Sequence, residues 1–527
     1  MKDVCLVLEF HQPHRLSRNF NSLYYTSDCD VEKVFKAYFD DELNMSLFRR
    51  VANNCYFPLN RIVLEQIERL KNPDLDFKLA YSVSGLLVEQ SELWEPRLAR
   101  EFKLLAESGC VEFLGQTYYH SLASLYDAEK REFVEQVEMH RSLMKNIFGL
   151  EPKVFENTEC IYNNSIARTV DEMGFKGVVT EGADRILCGR SPNHVYRAKG
   201  CGLKVLLRNY MLSDDIGFRF SSRTWCEWPL TSEKYVRWLE QTPGEVIVIF
   251  IDAETFGEHH DQRSGILDFL ENLAHKVVGS GTLSWSTPSE AIEKNEAHDV
   301  FDVDDFATVS WADLERDHTA WLGNEMQLIA YDSIKSLGPL VKSLNDHAFC
   351  HVWRCLQSSD HMYYMSTKVG GPGEVHSYFN PYGSPYEAFI VYVKLLADFE
   401  VRLRTELERR GLSEFRLLLP VPVEKAFTFY YEFARSTNFR ARSLPELLNA
   451  LKSVDSKSIM FHSKRGDFGR WVRQVVGDVK LADALDNVSA LNLTDEDLRK
   501  RLIEVIESRI KEVERVSVLV STSSNDK

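Results

Sequence analysis

The chain has 527 residues, more than one ordinary domain holds, so two or three domains are expected. Hydrophobic residues make up 44% and aromatics 12%, ample for sizeable cores. Asp and Glu exceed Lys and Arg by 79 to 63, a net charge of −16, which argues against a sequence-independent nucleic-acid binder, since such a protein needs a basic face.

The first element, "DVCLVLEF", reads as a strand that runs into His11. Its apolar part is too short for a signal peptide and lacks a small-residue cleavage site. No later apolar run approaches the roughly 18 residues of a membrane span. The ten cysteines form no CxxC pair, which reads as reduced thiols. These features predict a cytoplasmic protein with no membrane and no nucleic-acid partner.

Further strands are expected at "DFKLAYSVSG", at "VEFLGQTYY" with Gln116 and His120 after its apolar part, and at "KVFENTE", which ends on Glu159. The stretch from Asp127 to Leu150 carries apolar residues at three- to four-residue spacing, a helix. "KGVVTEG", "KVLLRNY", "VIVIFIDAE" and "TLSWSTPSE" complete the strand candidates, and Asp252 closes the third of these four. Strands alternating with helices imply a parallel α/β sheet. Seven or eight such units in the first 300 residues suggest a barrel, whose active site lies at the C-terminal strand ends. His11, Gln116, His120, Glu159 and Asp252 all stand at such ends.

From about Val300 the pattern becomes helices and loops, with an irregular Gly- and Pro-rich stretch, "GGPGEVHSYFNPYGSPYEAF". Beyond this, "EKAFTFYYEFARSTNFRARSLPELLNALKSV" and "LTDEDLRKRLIEVIESRIKEVERV" read as amphipathic helices, and the tail "STSSNDK" as disordered. The expected domains are a catalytic barrel at 1–300, a helical domain at 301–410 that completes the cleft, and a small helical domain at 411–527 with no assigned chemistry.

Glu159 and Asp252 suit the paired carboxylates of glycoside hydrolysis, where one protonates the leaving oxygen and the other acts at the anomeric carbon. The plainer alternatives are a helix cap or a salt-bridge partner. His11 can be a satisfied core histidine, and His259 and His260 can be neighbours of a helix start. Trp225 and Trp228 can stack on sugar rings or pack in the core. Glu254 reads as a supporting residue, and one of Tyr363 and Tyr364 as a site residue. A rival class makes His11, His120, His259, His260 and Asp252 ligands of a divalent metal. No HExxH spacing is present, and the HxxxH pair His347 and His351 lies in the helical region.

Five stretches in order resemble glycoside hydrolase family 57, within its α-amylase group: "HQPHRL", "GQTYYHSL", "ENTECIYNN", "DAETFGEH" and "LQSSDHMYYM". The resemblance implies an incomplete (β/α)7-type barrel followed by a helical bundle, and the C-terminal segment resembles a small domain of unknown function. It implies Glu159 as nucleophile and Asp252 as general acid/base, with His11 and His120 lining the sugar site. Gln116, Trp225, Asp360 and His361 are the further substrate-binding candidates, with no metal and no cofactor. Glu9 departs from the family pattern, where other branches carry a second histidine. The substrate implied is an α-1,4-glucan or maltooligosaccharide. The expected activity is that of an α-amylase, with 4-α-glucanotransferase or branching enzyme as alternatives on the same scaffold. A metal-dependent deacetylase-like hydrolase and a non-catalytic sugar-binding regulator are the other classes. The acid role requires Asp252 to hold its proton near neutral pH, through its apolar strand end and the charge of Glu159.

Overall fold

The structure, a computed structural model, describes residues 1–21, 31–71, 76–127, 129–368, 380–421, 423–491 and 493–524. Eight strands appear first along the chain: β1 (Lys2–Phe10), β2 (Leu79–Val83), β3 (Val111–Phe113), β4 (Val154–Glu156), β5 (Gly177–Glu181), β6 (Val195–Ala198), β7 (Lys204–Arg208) and β8 (Val246–Asp252). Seven of them pair in parallel in the order β3-β2-β1-β8-β7-β5-β4. A single bridge, Gly115 to Phe155, then links the end of β3 to β4. The β7–β8 contact is equally thin, with Arg208 and Val248 as its one registered pair. β6 runs antiparallel on β7, and two short strands, Leu283–Trp285 and Asp299–Phe301, lie beside β1 and β6. This is a mixed α/β fold.

The strands are apolar on both sides, as expected where helices cover a parallel sheet. Side chains alternate between two cores because the strand period is two. Val4, Leu6, Leu8 and Phe10 of β1 join Ile247, Ile249 and Ile251 of β8 in one core, with residues of the helices Phe57–Arg69 and Ile266–Gly279. Cys5 and Val7 join Val246, Val248 and Phe250 in the other. The same alternation continues to the strand ends. Glu9 and Asp252 follow the second core and are registered partners across β1 and β8.

Two expectations fail in the C-terminal region. The segment expected as one long helix begins as an antiparallel hairpin, Phe427–Glu432 and Arg435–Ala441. Phe427 and Phe429 alternate inward with a period of two, and Ala434 turns the chain at φ 63°. The helix starts only at Leu444, where the Ser443 side chain accepts from the Glu446 N–H. The tail is also shorter than expected, since the last helix runs from Asp495 to Ser524. Most of the first half of the Gly- and Pro-rich stretch, residues 370–379, lies outside the described residues, and a helix begins at Pro385.

The chain forms two compact units. One comprises 1–20, 36–331 and 354–392, and contains the parallel strands. The other comprises 21–35, 332–353 and 393–527, and contains the hairpin. The stretch 301–410 is therefore divided between them. Among the described residues, no helix is long and apolar enough to cross a membrane.

Candidate active site

A cavity of about 190 Å³ opens at the C-terminal ends of the parallel strands. Glu9, His11, His120, Glu159, Asp252 and Asp360 all line it. β1 carries Glu9 and runs on into His11, while β8 ends on Asp252.

Glu159 follows β4 on a tight turn, at φ 61°, with Cys160 next to it at φ 54°. Left-handed backbone at two consecutive non-glycine residues costs about 1–3 kcal/mol each, and such strain concentrates at functional sites. Its carboxylate is tied at both oxygens. Trp311 Nε1 donates to Oε2 at 2.7 Å, and the Ser359 hydroxyl donates to Oε1 at 2.7 Å. His120 Nε2 stands 3.5 Å from Oε1.

His120 is buried and also left-handed, at φ 48°. Burial opposes a charge on its ring, but the hydrogen bond and charge of Glu159, with Asp360 and Glu156 behind, raise its pKa. Its ring stacks on His11 at 4.1 Å. His11 is clamped between the Ser84 hydroxyl at 2.8 Å from Nδ1 and Asp360 Oδ2 at 3.0 Å from Nε2. Burial and the neighbouring His120 lower its pKa to about 4. A neutral His11 then donates from Nε2 to the acceptor-only Asp360 carboxylate. Ser358 also donates to that carboxylate, and these partners hold it below the usual range against burial.

Asp252 has a different environment. No side chain hydrogen-bonds its carboxyl among the described residues. Burial first, and then the charge of Glu159, push its pKa up to about 7, against the pull of Arg208 and His120. The two cavity carboxyls thus meet opposite surroundings, Glu159 tied by two donors and Asp252 pushed toward its protonated form by burial and charge.

Two arginines of the wall, Arg208 and Arg316, share a pair of acids. Arg208, at the end of β7, donates to Glu181 at 3.0 Å and to Asp214 at 2.6 Å. Arg316 donates to the same two acids, at 3.2 Å each. Removing one partner from such a buried set leaves charge uncompensated, so Arg208→Met should cost about 3–5 kcal/mol in urea unfolding. A loss below about 1 kcal/mol would mean that Arg316 alone satisfies both acids.

A family model described as glycosyl hydrolase family 57 matches residues 5–304 of this chain. The chain belongs to glycosyl hydrolase family 57. The family-57 chain is 43% identical over 415 residues to a Methanocaldococcus jannaschii protein named "Putative alpha-amylase", covering 77% of this chain and 85% of the relative. Its fold is similar to that of a branching enzyme of Pyrococcus horikoshii, at 14% identity and TM-score 0.52, over 76% of this chain and 94% of that one. A branching enzyme of Thermococcus kodakaraensis matches at 15% identity and TM-score 0.49, over 76% and 94%. Residues 424–524 match a family of unknown function, DUF5752. The protein is thus a family-57 glycoside hydrolase, with an α-amylase-like homologue.

Three of the sequence candidates stand outside the cavity of this family-57 enzyme. Gln116 is buried behind it, where its side-chain amide meets the Ser82 hydroxyl at 2.9 Å and lies 3.4 Å from His120 Nδ1. His361 turns away to the Cys355 carbonyl at 3.1 Å and packs on Tyr392. Trp225 packs against the core near Trp238, at 6.1 Å. Each lies within or beside a motif, but on the side of its element that faces the core. Of the two histidines at 259 and 260, the first lines the cavity, while His260 donates to the carbonyls of Ile216 and Gly217. Between them and β8, Glu254 accepts from Tyr56 and from Gln12, a bracing role as its position suggested. Gly257 packs so closely that a Cβ would lie 2.0 Å from the Asn54 carbonyl oxygen, at a φ of 132°. Among the described residues, no group of three or more His, Cys, Asp or Glu is arranged to hold a metal ion.

The sequence missed Trp311 and Ser359, the two donors to Glu159, and the Arg208–Arg316 network. "LQSSDHMYYM" contains Ser359, one residue before the acid that drew attention. "SWADLERDHTAWLGN" contains both Trp311 and Arg316. An arginine ending an apolar run, as in "KVLLRNY", also signals a buried charge in need of acids.

Glu9 is 2% exposed, and its Oε1 makes no hydrogen bond, although His120 Nδ1 stands 3.5 Å from it. Burial, then the charges of Glu156, Glu159, Asp252 and Glu254, push its carboxyl well above the ordinary value. A carboxyl raised in the folded state contributes stability fully below the unfolded value, about 4.3, and loses it as pH climbs through the folded value. Glu9→Gln removes that loss. Its gain in melting temperature should be about a few degrees larger at pH 8 than at pH 4. A gain that does not change with pH would show that Glu9 takes up its proton in the fold as it does in the unfolded chain.

Proposed function

We propose that this enzyme is a retaining α-glucan hydrolase, an α-amylase that cleaves α-1,4-glucosidic bonds by double displacement. The observation that carries the reading is the contrast, within one cavity, between the Glu159 carboxylate tied by two donors and the Asp252 carboxyl with its raised pKa. The name of the 43%-identical relative supports the substrate class.

In the first step Glu159 attacks the anomeric carbon, and the bond to the leaving oxygen breaks as Asp252 gives that oxygen its proton. The product is a glycosyl ester on Glu159. Trp311 and Ser359 hold the attacking carboxylate in one orientation, which reduces the cost of reaching the reactive geometry. In the second step Asp252, now a carboxylate, takes a proton from water. The resulting hydroxide oxygen bonds to the anomeric carbon and Glu159 leaves.

The parallel strand order, with its thin links at Gly115–Phe155 and Arg208–Val248, supports an incomplete seven-stranded barrel as the scaffold. Residues 1–300 supply both acids. Trp311, Trp321, Asp360 and Tyr363 support a cleft-completing role for residues from 301–410. Residues 411–527 carry no chemistry in this reading.

Maltoheptaose tests the reaction. Hydrolysis gives only shorter sugars by chromatography. A ladder extending above seven units would instead make a sugar hydroxyl the acceptor and the enzyme a glucanotransferase.

A further inference from the structure

A second depression lies across the wall of the cavity, on the same compact unit. The short segment Gly217–Phe220 separates the two, since Gly217 and Phe218 line the cavity and Phe220 lines the depression. His260 braces that wall. Its Nε2 lies 2.9 Å from the Ile216 carbonyl and 3.1 Å from that of Gly217, and its ring packs on Phe220 at 5.7 Å. A histidine from the strongest acid-bearing motif is thus spent on a partition, with no role in the proposed chemistry.

The depression has a volume of about 330 Å³, within the range of about 300–1,000 Å³ typical of small-ligand sites. Trp228 lines it and is 43% exposed, with the Arg223 guanidinium 5.9 Å from its ring centroid as its charged neighbour. Asp268, Asn272 and Ser264 also line it. The Asp268 carboxylate and the Ser264 hydroxyl have no protein partner among the described residues. The lining holds no Lys, Arg or His, so nothing there favours an anion. The other lining acid, Glu233, is already paired with Lys276 at 2.8 Å. A flat indole beside free hydroxyl and carboxylate groups suits a neutral polyhydroxylated ligand. The C–H face of a sugar ring covers the indole, and its hydroxyls meet the acceptors.

We propose that this depression is an outer binding site for α-glucan, separate from the catalytic cavity, with Trp228 as its platform. The ligand class rests on the α-glucan reading given above. A surface site of this kind holds a polymer near the cavity without taking part in bond cleavage. It should therefore matter for long branched chains and be irrelevant to short ones.

Native electrophoresis through gels containing glycogen tests this on the full-length enzyme. Wild type should be retarded, and Trp228→Ala should weaken the apparent affinity by about five- to tenfold, the loss of one aromatic contact. Turnover of maltotriose should stay within about twofold of wild type. Asp268→Ala, an exposed change that spares the core, should weaken retardation in the same direction. This second variant decides the matter if the Trp228 variant fails to fold. Glycogen retardation unchanged in both folded variants overturns the proposal. An enzyme that cleaves maltoheptaose but is not retarded by glycogen has the catalytic activity without the outer site. One that is retarded through Trp228 yet turns over no α-glucan keeps the site and loses the catalytic reading.

Discussion

Glu159→Ala should lower turnover of maltooligosaccharides by about 10⁴–10⁶-fold, the scale of losing a covalent nucleophile. The substitution leaves a gap beside the anomeric carbon, lined by the donors Trp311 and Ser359. Those donors remain aimed at an absent carboxylate, so a small anion such as azide should settle there. Azide attacks from the face that Glu159 used. An activated α-glucoside should then give a β-glycosyl azide, a single inversion, with turnover rising with azide concentration. Near-normal turnover without azide would remove Glu159 from the mechanism.

The second large effect falls on Asp252. Asp252→Ala should slow glucan cleavage by about 10²–10⁴-fold, the usual contribution of a positioned acid and base. An aryl glycoside with a good leaving group needs no proton, so it should still load Glu159. Deglycosylation lacks its base, and the glycosyl-enzyme should accumulate. Mass spectrometry should find the sugar on the peptide containing "VFENTECIYNN". The pH profile gives an independent reading. Asp252 is protonated below about 7 and ionised above it, so the wild-type rate on glucan should fall as pH rises through that value. With the aryl glycoside, the variant should lose that alkaline limb. A limb that persists near pH 7 would place the essential acid on another residue.

His11, Glu159 and Asp252 were legible because they end or closely follow apolar runs, whereas Asp360 came only with the fifth motif. A carboxyl at or just past a strand end has nowhere to go except a cleft or solvent. Gln116 and His361 were misplaced because a motif specifies a neighbourhood but not which way a side chain faces. Trp311 and Ser359 escaped because their partner, Glu159, lies 152 and 200 residues away in the chain. No local spacing encodes such a contact. The hairpin Phe427–Ala441 reads as a helix in the sequence because aromatic and charged residues crowd into one window. Only the inward alternation of Phe427 and Phe429 distinguishes it, and bulges break even that pattern.

The alternation along β1 has a practical consequence for anyone preparing this enzyme. Glu9 lies on one side of the strand and Phe10 on the other, while His11 leaves from its end. A slip of one residue against β8 would reverse every side chain of β1. Phe10 would then intrude among the cavity acids, and Glu9 would be driven beneath the helices. Misthreaded molecules would be idle and fragile together, so well-folded but inactive material should not persist through mild heating. Specific activity after such a treatment then counts correctly assembled molecules, serving as a purity assay that needs no separate conformational probe.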